Sequence, residues 1–441
     1  MNNNHPTNKS FTSIISNGSW WKKDQNGRDV VNAPTLAMYI AQQSHLLFAN
    51  GELHYYNNGV YQTGASKHVG NMVVRLLGDK FRSFHSNEVH RFLNDCYSSQ
   101  PTSLDKSTQF VNLENGLLDW DANTLYEHSP QHLSSIRVPL TYAPNATCPH
   151  IERFLGQVLP IECHDLVLEL FAYCLLPTTK LDIAVQLIGG GANGKSVFLK
   201  LLKSFIGAAN TSAESLHDIE KNRFRLASLT GKLANICADI AGQHLPSSDT
   251  FKKLTTGDEI SVEKKYCMPY TTCNFAKLFF SANQLPTCDD VSDGFFRRWI
   301  ILRFPNQFLS GKADPDLLEK LTTPQELSGL LNLALPALRR LMSNKAFSIP
   351  LSVKRELNAY RKDNDSAVQF LNENCQLKPM QLYPKRKLFA AYMAWAKECN
   401  YKPCNIKQFS QQLQQLYPQV SEDRNTGIRQ WKGIVYNGTA S

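Results

Sequence analysis

LIGGGANGKSVFLKLLKSFI (187–206) is the stretch whose reading decides the fold class. Two apolar residues run into three glycines, and Gly194-Lys195-Ser196 then opens an apolar-rich, helix-like run. Residues 189–196 fit GxxxxGK[ST], with a strand pattern before them and a helix pattern after, which is the context the motif requires. Glycines let backbone N–H groups wrap phosphates, and the helix N-terminus adds partial positive charge. The expected cradle is Gly189, Gly190, Gly191, Ala192, Asn193, Gly194, Lys195, Ser196 and Val197. Lys195 can reach the β- and γ-phosphates of ATP, and Ser196 can hold Mg2+. Kinases, switches, transporters and helicases can all begin this way, so the decision passes to the flanking sequence.

Four short apolar runs surround the cradle: AVQLI (184–188), LANIC (233–237), KLFFSA (277–282) and WIILRF (299–304). Each has strand length, and helical segments lie between some of them. Buried apolar strands interleaved with helices argue an α/β fold with a parallel sheet. Residues 311–350 space their leucines at helical intervals and read as a helical lid.

Polar residues stand where these strands end. Asp239 follows LANIC, and it can bind Mg2+ or orient the attacking water. The sequence leaves both roles open. Asn283 follows KLFFSA and suits a sensor that hydrogen-bonds the γ-phosphate or the lytic water. Arg297 and Arg298 precede WIILRF, where an arginine can project across a subunit boundary and stabilise transition-state charge. The sequence does not choose between the two.

The rest of the chain sets the frame. Its 441 residues carry a net charge of +9, and residues 351–441 hold 14 Lys/Arg against 7 Asp/Glu. A basic module on a nearly neutral body points to a polyanionic partner, most often nucleic acid. The polar N-terminus, MNNNHPTNKS, lacks a signal core, and no apolar stretch is long enough to span a bilayer. Eleven cysteines at irregular positions read as free thiols of a reducing cytoplasm. NNG (57–59) predicts a turn between two short strands, LHYY and VYQT. Near the C-terminus, LFAAYMAWAKECN and NIKQFSQQLQQLY read as helices, the second capped by Asn405. Two strands around Asn425-Thr426-Gly427 follow. Helix, helix and basic hairpin form a winged-helix pattern, with Lys407 on its second helix and Arg424, Arg429 and Lys432 on its wing. Trp395, Phe409, Leu413 and Trp431 are expected in its core.

The ordered set GGGANGKS, LANICAD, FKKLTTGDEI–KKY, KLFFSANQLP and GFFRRWIILRF resembles the superfamily 3 helicases. More narrowly it resembles the phage, plasmid and poxvirus-type primase-helicases. VNLENGLLDWDANTLYEHSP, RVPLTYAPNATCPHIERFL and LFAYCLLP are similar to the domain that precedes the motor there. The resemblance covers about residues 35–440. It implies an AAA+ type core in a ring, usually a hexamer, that uses ATP and Mg2+ to thread one DNA strand 3′ to 5′. Lys195 and Ser196 match the P-loop pair, Asp239 the acid, Asn283 the sensor, and Arg297/Arg298 the finger pair. GDEISVEKKYCMPYTTC then reads as the family's β-hairpin, with Glu259–Glu263 going out and Tyr270–Cys273 returning. Lys264, Lys265 and Tyr266 at its tip suit a phosphate backbone and a stacked base. Lys252 and Lys253 just upstream are candidates for the same channel.

The expected layout is a tail (1–30), a mostly helical, turn-rich pre-motor domain (31–165), a motor with its lid (166–350) and a winged-helix DNA-binding domain (351–441). Two departures from the family matter. Ala238 stands where relatives often carry a second acid. Only about 160 residues precede the motor, and they match the pre-motor domain, so a helicase without primer synthesis is expected. Expected partners are single-stranded and forked DNA, further copies of the chain, and a separate primase or other replication proteins, in the cytoplasm of a bacterial host. The rival reading is an ATP-switched replication initiator or loader that binds DNA without processive unwinding.

Overall fold

The computed structural model describes residues 15–238, 244–263, 269–283, 285–308, 314–399, 401, 403–423 and 428–438, the Arg223 side chain excepted. Its centre is a five-stranded, wholly parallel sheet. Across the sheet the order is Thr211–Ser212, Ala234–Cys237, Lys277–Ala282, Ala184–Ile188 and Trp299–Arg303. All four apolar runs read from the sequence are therefore strands, and the 184–188 strand lies between the 277–282 and 299–303 strands. Its five residues are all buried, as expected of a parallel strand covered on both faces.

The two faces have different covers. On one, the helix Lys195–Ile206 buries Phe198, Leu202 and Phe205. Phe171, from the helix His164–Tyr173, meets Phe198 edge-on at 5.3 Å. The helix Pro324–Asn344, expected as a lid, packs here too, and Gly329 lets it come close. A Cβ at Gly329 would lie 2.3 Å from the Thr147 carbonyl carbon. On the other face, the helices Asp249–Thr256 and Leu351–Asn364 enclose Phe251, Phe295, Phe296, Trp299 and Tyr360. Lys277 enters the sheet almost fully buried, donates Nζ to the Leu176 carbonyl and sits 4.8 Å from the Tyr173 ring. Burial pulls its pKa down to about 8.

The hydrophobic cores cross the boundaries expected from the sequence. Residues 20–93 contribute to a core of their own, built on the helices Ala33–Ser44, Ala65–Leu77 and Ser83–Ser98. From Val111 onward, the segment before the motor shares one core with the Lys195–Ile206 helix and the lid. That helix has an apolar face that the sheet alone does not cover, and Phe154, Leu155 and Leu170 help to close it. At the other end, the Leu351–Asn364 helix, assigned from the sequence to the C-terminal unit, packs on the sheet. Glu356 grips Arg303 through two hydrogen bonds of 2.5 and 2.7 Å, and Tyr360 donates to Pro286 O at 2.6 Å.

The separate C-terminal core runs from Ala367 to Ile434. Helices Ser366–Asn374, Lys385–Glu398 and Ile406–Leu416 pack against a three-stranded antiparallel sheet, ordered Cys375–Pro384, Gln430–Tyr436, Ser421–Asp423. Asn405 caps its helix through Lys407 N and Gln408 N, as expected. Phe409, Leu413 and Trp431 are core, and the half-buried Trp395 stacks on Tyr401. The 375–384 strand is absent from the sequence reading because Pro379 disfavours a strand. It is tolerated there because this strand is an edge with a broken register. The NNG turn is present: Asn57 pairs with Val60, and Asn58 and Gly59 both take the left-handed backbone of a tight hairpin turn. Among the described residues, no helix is long and apolar enough to cross a membrane.

Candidate functional site

The cradle lies at the carboxyl end of the 184–188 strand, where parallel α/β sheets place their ligands. Gly191 and Gly194 have φ of +93° and +89°, which turns the loop sharply into the Lys195 helix. Gly194 also has no room for a side chain, since a Cβ would lie 2.6 Å from Val158 Cγ1. Lys195 is 4% exposed, and its Nζ donates to Gly189 O at 2.6 Å and Asn193 Oδ1 at 3.2 Å. Asn193 is equally buried, and its Nδ2 has no hydrogen-bond partner. A buried amide donor without an acceptor is costly, and a phosphate oxygen in the cradle would satisfy it. Ser196 is exposed in the first helical turn, within the same dipole field. Backbone donors, a buried ammonium and an orphaned amide together fit a polyphosphate.

One wall of the cradle carries no sequence signal. Phe308 N donates to Ala192 O at 2.7 Å, Gln307 Nε2 lies 3.4 Å from Gly190 O, and Asn306 Nδ2 donates to Gln157 O at 2.7 Å. The segment FPNQF (304–308) has no motif character. It reaches the loop only because its strand is hydrogen-bonded beside the 184–188 strand.

The sheet register positions the other candidates. Ala282 pairs with Ile188, so Asn283 emerges level with Gly189, and it is exposed there. The acid strand ends at Cys237, paired with Phe280. Asp239 lies outside the described residues.

The arginine pair is split. Arg297 is exposed after the short helix Asp293–Phe296, whereas Arg298 is 5% exposed. Arg298 Nε donates to Thr255 Oγ1 at 2.9 Å, Nη1 donates to the Gly294 carbonyl, and Nη2 is 3.9 Å from Asp182 Oδ2. The Arg298 guanidinium is thus engaged inside its own chain, and of the pair expected to supply a finger Arg297 is the exposed one. Both arginines precede Trp299, which pairs with Ala184 at the amino end of the sheet. From Ala184 to Ile188 a strand rises roughly 13 Å, at about 3.3 Å per residue. The pair therefore stands at the end of the sheet opposite its own cradle.

The expected hairpin is present, with Glu259–Val262 paired to Tyr270–Cys273. Buried Ile260 and Val262 root it in the core. Its tip residues Lys264, Lys265 and Tyr266 lie outside the described residues, as does Arg424 in the C-terminal unit. Lys252 pairs with Asp290 at 2.7 Å, while Lys253 is exposed. Burial alone would raise the Asp290 pKa, but hydrogen bonds from Lys252, Ser248 and Ser292 hold it well below the carboxylate range. Lys407, Arg429 and Lys432 are all exposed on the C-terminal unit. No cluster of metal-ligating side chains occurs among the described residues.

Comparison with known proteins covers most of the chain piece by piece. Residues 8–160 match the family described as D5 N terminal like, and residues 362–437 match the family described as poxvirus D5 protein-like. Between them, residues 187–298 match a family of unknown function, DUF5906. A protein of Acanthamoeba polyphaga mimivirus, named as a candidate helicase (L207/L206), is 23% identical over 397 residues. That alignment takes in 81% of this chain but 41% of the mimivirus protein, so the chain spans about two fifths of that relative's length. Among solved structures, the apo NrS-1 C-terminal region shares the fold at a TM-score of 0.51, with 11% identity, covering 90% of this chain and 98% of that one. A second structure of that region, described as residues 305–718, gives a TM-score of 0.50 with 92% of this chain covered. The D5-type matches at both ends and the helicase-named relative along most of this chain agree in making it similar to the phage and poxvirus-type primase-helicases, while the NrS-1 likeness shows a shared fold alone.

Proposed function

We propose that this chain is an ATP-dependent DNA helicase built on an AAA+ type motor, acting as a ring of identical subunits, hexameric and moving 3′ to 5′. The observation that carries the reading is the separation across the sheet. The cradle and Asn283 stand at its carboxyl end and the exposed Arg297 at its amino end. A finger so placed is out of reach of its own cradle, and it serves a site only when a second subunit supplies that site.

In this reading the backbone N–H groups from Gly191 to Ser196 and the Lys195 ammonium bind the ATP phosphates. Asn193 Nδ2 gains its acceptor there. Ser196 and Asp239 hold Mg2+, which when bound neutralises phosphate charge. Asn283 orients the attacking water. The partner subunit's Arg297 stabilises the charge that develops in the transition state. Lys264, Lys265 and Tyr266 grip the strand in the channel. The C-terminal unit serves as a winged helix that holds DNA through Lys407, Arg424, Arg429 and Lys432.

The test is ATP hydrolysis and strand displacement by the assembled protein, with and without single-stranded DNA, on forks carrying either a 3′ or a 5′ tail. Hydrolysis stimulated by single strands, with displacement from the 3′-tailed fork, is expected. Absence of both overturns the reading. Slow hydrolysis with tight site-specific duplex binding and no displacement replaces it with an ATP-switched initiator or loader.

A further inference from the structure

The edge strand Cys375–Pro384 of the C-terminal unit presents an unusual surface. Leu377, Met380 and Leu382 are 43%, 83% and 44% exposed. Its pairing with the 430–436 strand breaks between Lys378, opposite Gly433, and Leu382, opposite Lys432. Residues 379–381 therefore bulge out of the ladder, facing Gly433, whose φ is +106°. Met380 is at the middle of this bulge and is the most exposed large apolar side chain among the described residues.

Two occupants could cover such an apolar edge, a protein strand or a nucleic acid. The bulge and Pro379 argue against the strand, because Pro379 has no N–H to offer and the register is broken where a ladder would have to continue. The charge argues for a polyanion. Residues 374–397 contain five Lys or Arg and no Asp or Glu, although Lys385 is taken up by Glu422 of the neighbouring strand. Lys378 on the bulged strand, Lys432 opposite Leu382, and Arg429 at the end of the same ladder are all exposed. Apolar tips flanked by cations are how proteins pry bases apart, and Met, Leu and Pro are typical wedge residues.

We propose that the Pro379–Met380 bulge is a wedge that inserts at the open end or fork of a nucleic-acid duplex, while Lys378 and Lys432 hold the flanking phosphates. The proposal rests on the reading of this unit as DNA-binding. It goes beyond that reading by placing the contact on the edge strand and by giving it a strand-separating task. The wedge unstacks the terminal base pair, and the cations fix the backbone on either side.

The experiment uses the full chain and forked DNA carrying 2-aminopurine at the junction or, separately, ten pairs inside the duplex. Wild type should raise the junction signal and leave the interior probe unchanged. Met380→Ala should remove at least half of the junction rise, while fork affinity stays within about threefold and the salt dependence is unchanged, because an apolar tip releases no counterions. Met380→Leu should retain the rise. Lys378→Ala with Lys432→Ala should flatten the salt dependence by about 0.9 per lysine for duplex phosphates. A junction rise that is the same in Met380→Ala as in wild type overturns the wedge while leaving the helicase reading standing. So does a Met380→Ala effect confined to oligomeric state in sedimentation, which assigns the edge to a protein contact. Failure of wild type to bind any fork overturns both.

Discussion

Arg298 Nε donates to Thr255 Oγ1 at 2.9 Å and thereby ties the arginine pair to the end of the helix that leads into the hairpin. Two residues beyond Thr255, Gly257 turns the chain at φ +73° into the Glu259–Val262 strand. Arg298 O meanwhile accepts from Ala184 N at 2.8 Å, at the start of the strand that ends in the cradle. One buried residue thus joins three places with separate proposed tasks.

Arg298→Ala should destabilise the fold. The Gly294 carbonyl loses its Arg298 donor while the Thr255 hydroxyl keeps its bonds to the Phe251 and Lys252 carbonyls, and the buried guanidinium leaves a void, for a cost of roughly 1–3 kcal/mol. Arg297→Ala, on an exposed side chain, should stay within about 0.5 kcal/mol of wild type. Its effect should fall instead on hydrolysis, with a drop on the order of a thousandfold for a finger. Denaturant unfolding read beside ATPase rates, with Arg297→Ala subunits mixed into Lys195→Ala subunits, separates the roles. Activity recovered in the mixture identifies a site shared between chains.

Asn283→Ala should leave ATP binding within about threefold and cut hydrolysis by about 10²–10³, the usual loss for one group placed on a reacting centre. Lys195→Ala should abolish hydrolysis in a protein that still folds. Fluorescent-nucleotide titration and single-turnover rates check both. Equal loss of binding and rate in Asn283→Ala would move that residue from water orientation to phosphate binding.

Gly329→Ala should cost roughly 1–3 kcal/mol, as overpacking does where backbone meets backbone. The added methyl would stand 2.3 Å from the Thr147 carbonyl carbon, and no side chain there can move aside. Thermal unfolding of the variant, with loss of protease resistance near residues 144–149, is the measurement.

Lys277 should make stability rise with pH in the alkaline range. Burial lowers its folded pKa to about 8, whereas the unfolded side chain titrates near 10.4. Between those values the unfolded chain binds more protons than the folded one, so unfolding becomes harder as pH increases. Burial raises the pKa of Cys148, Cys174, Cys288 and Cys375, which pulls the other way, so the Lys277 contribution is read as the wild-type minus Lys277→Met difference in urea midpoint, which should grow from pH 7.5 to 10.5.

Lys264→Ala with Lys265→Ala should reduce the slope of log affinity against log salt by about 0.7 per lysine on single-stranded DNA. Tyr266→Ala should weaken binding by roughly 1–3 kcal/mol without changing that slope, because stacking releases no counterions. Fluorescence anisotropy at several salt concentrations measures both.

The central α/β unit was legible because its signals are local. Four of its five strands are short, mostly apolar runs, whereas the two-residue Thr211–Ser212 strand carries no such signal, and the cradle is a contiguous motif whose glycines answer backbone requirements. The hairpin was read through the family resemblance, and the Asn405 helix from its cap. Elements read poorly were those whose stability is borrowed. The 375–384 strand contains a proline and exposes most of its length, and it exists as an edge on the 430–436 strand. The wall at 304–308 and the Val158 contact with Gly194 join residues far apart in sequence, which no local pattern encodes.

By itself the sequence determined the fold class, the phosphate cradle, the order of candidate residues along the chain and the basic bias of the C-terminal unit. Periodicity, glycine positions and charge are properties of neighbouring residues, so these could be read directly. Only the tertiary structure decided which arginine is exposed, which helix belongs to which core and where the apolar tip of the edge strand points. Arg297 and Arg298 are adjacent and chemically identical. Burial against Thr255 and Gly294 separates them, and burial is fixed by what the rest of the chain brings alongside.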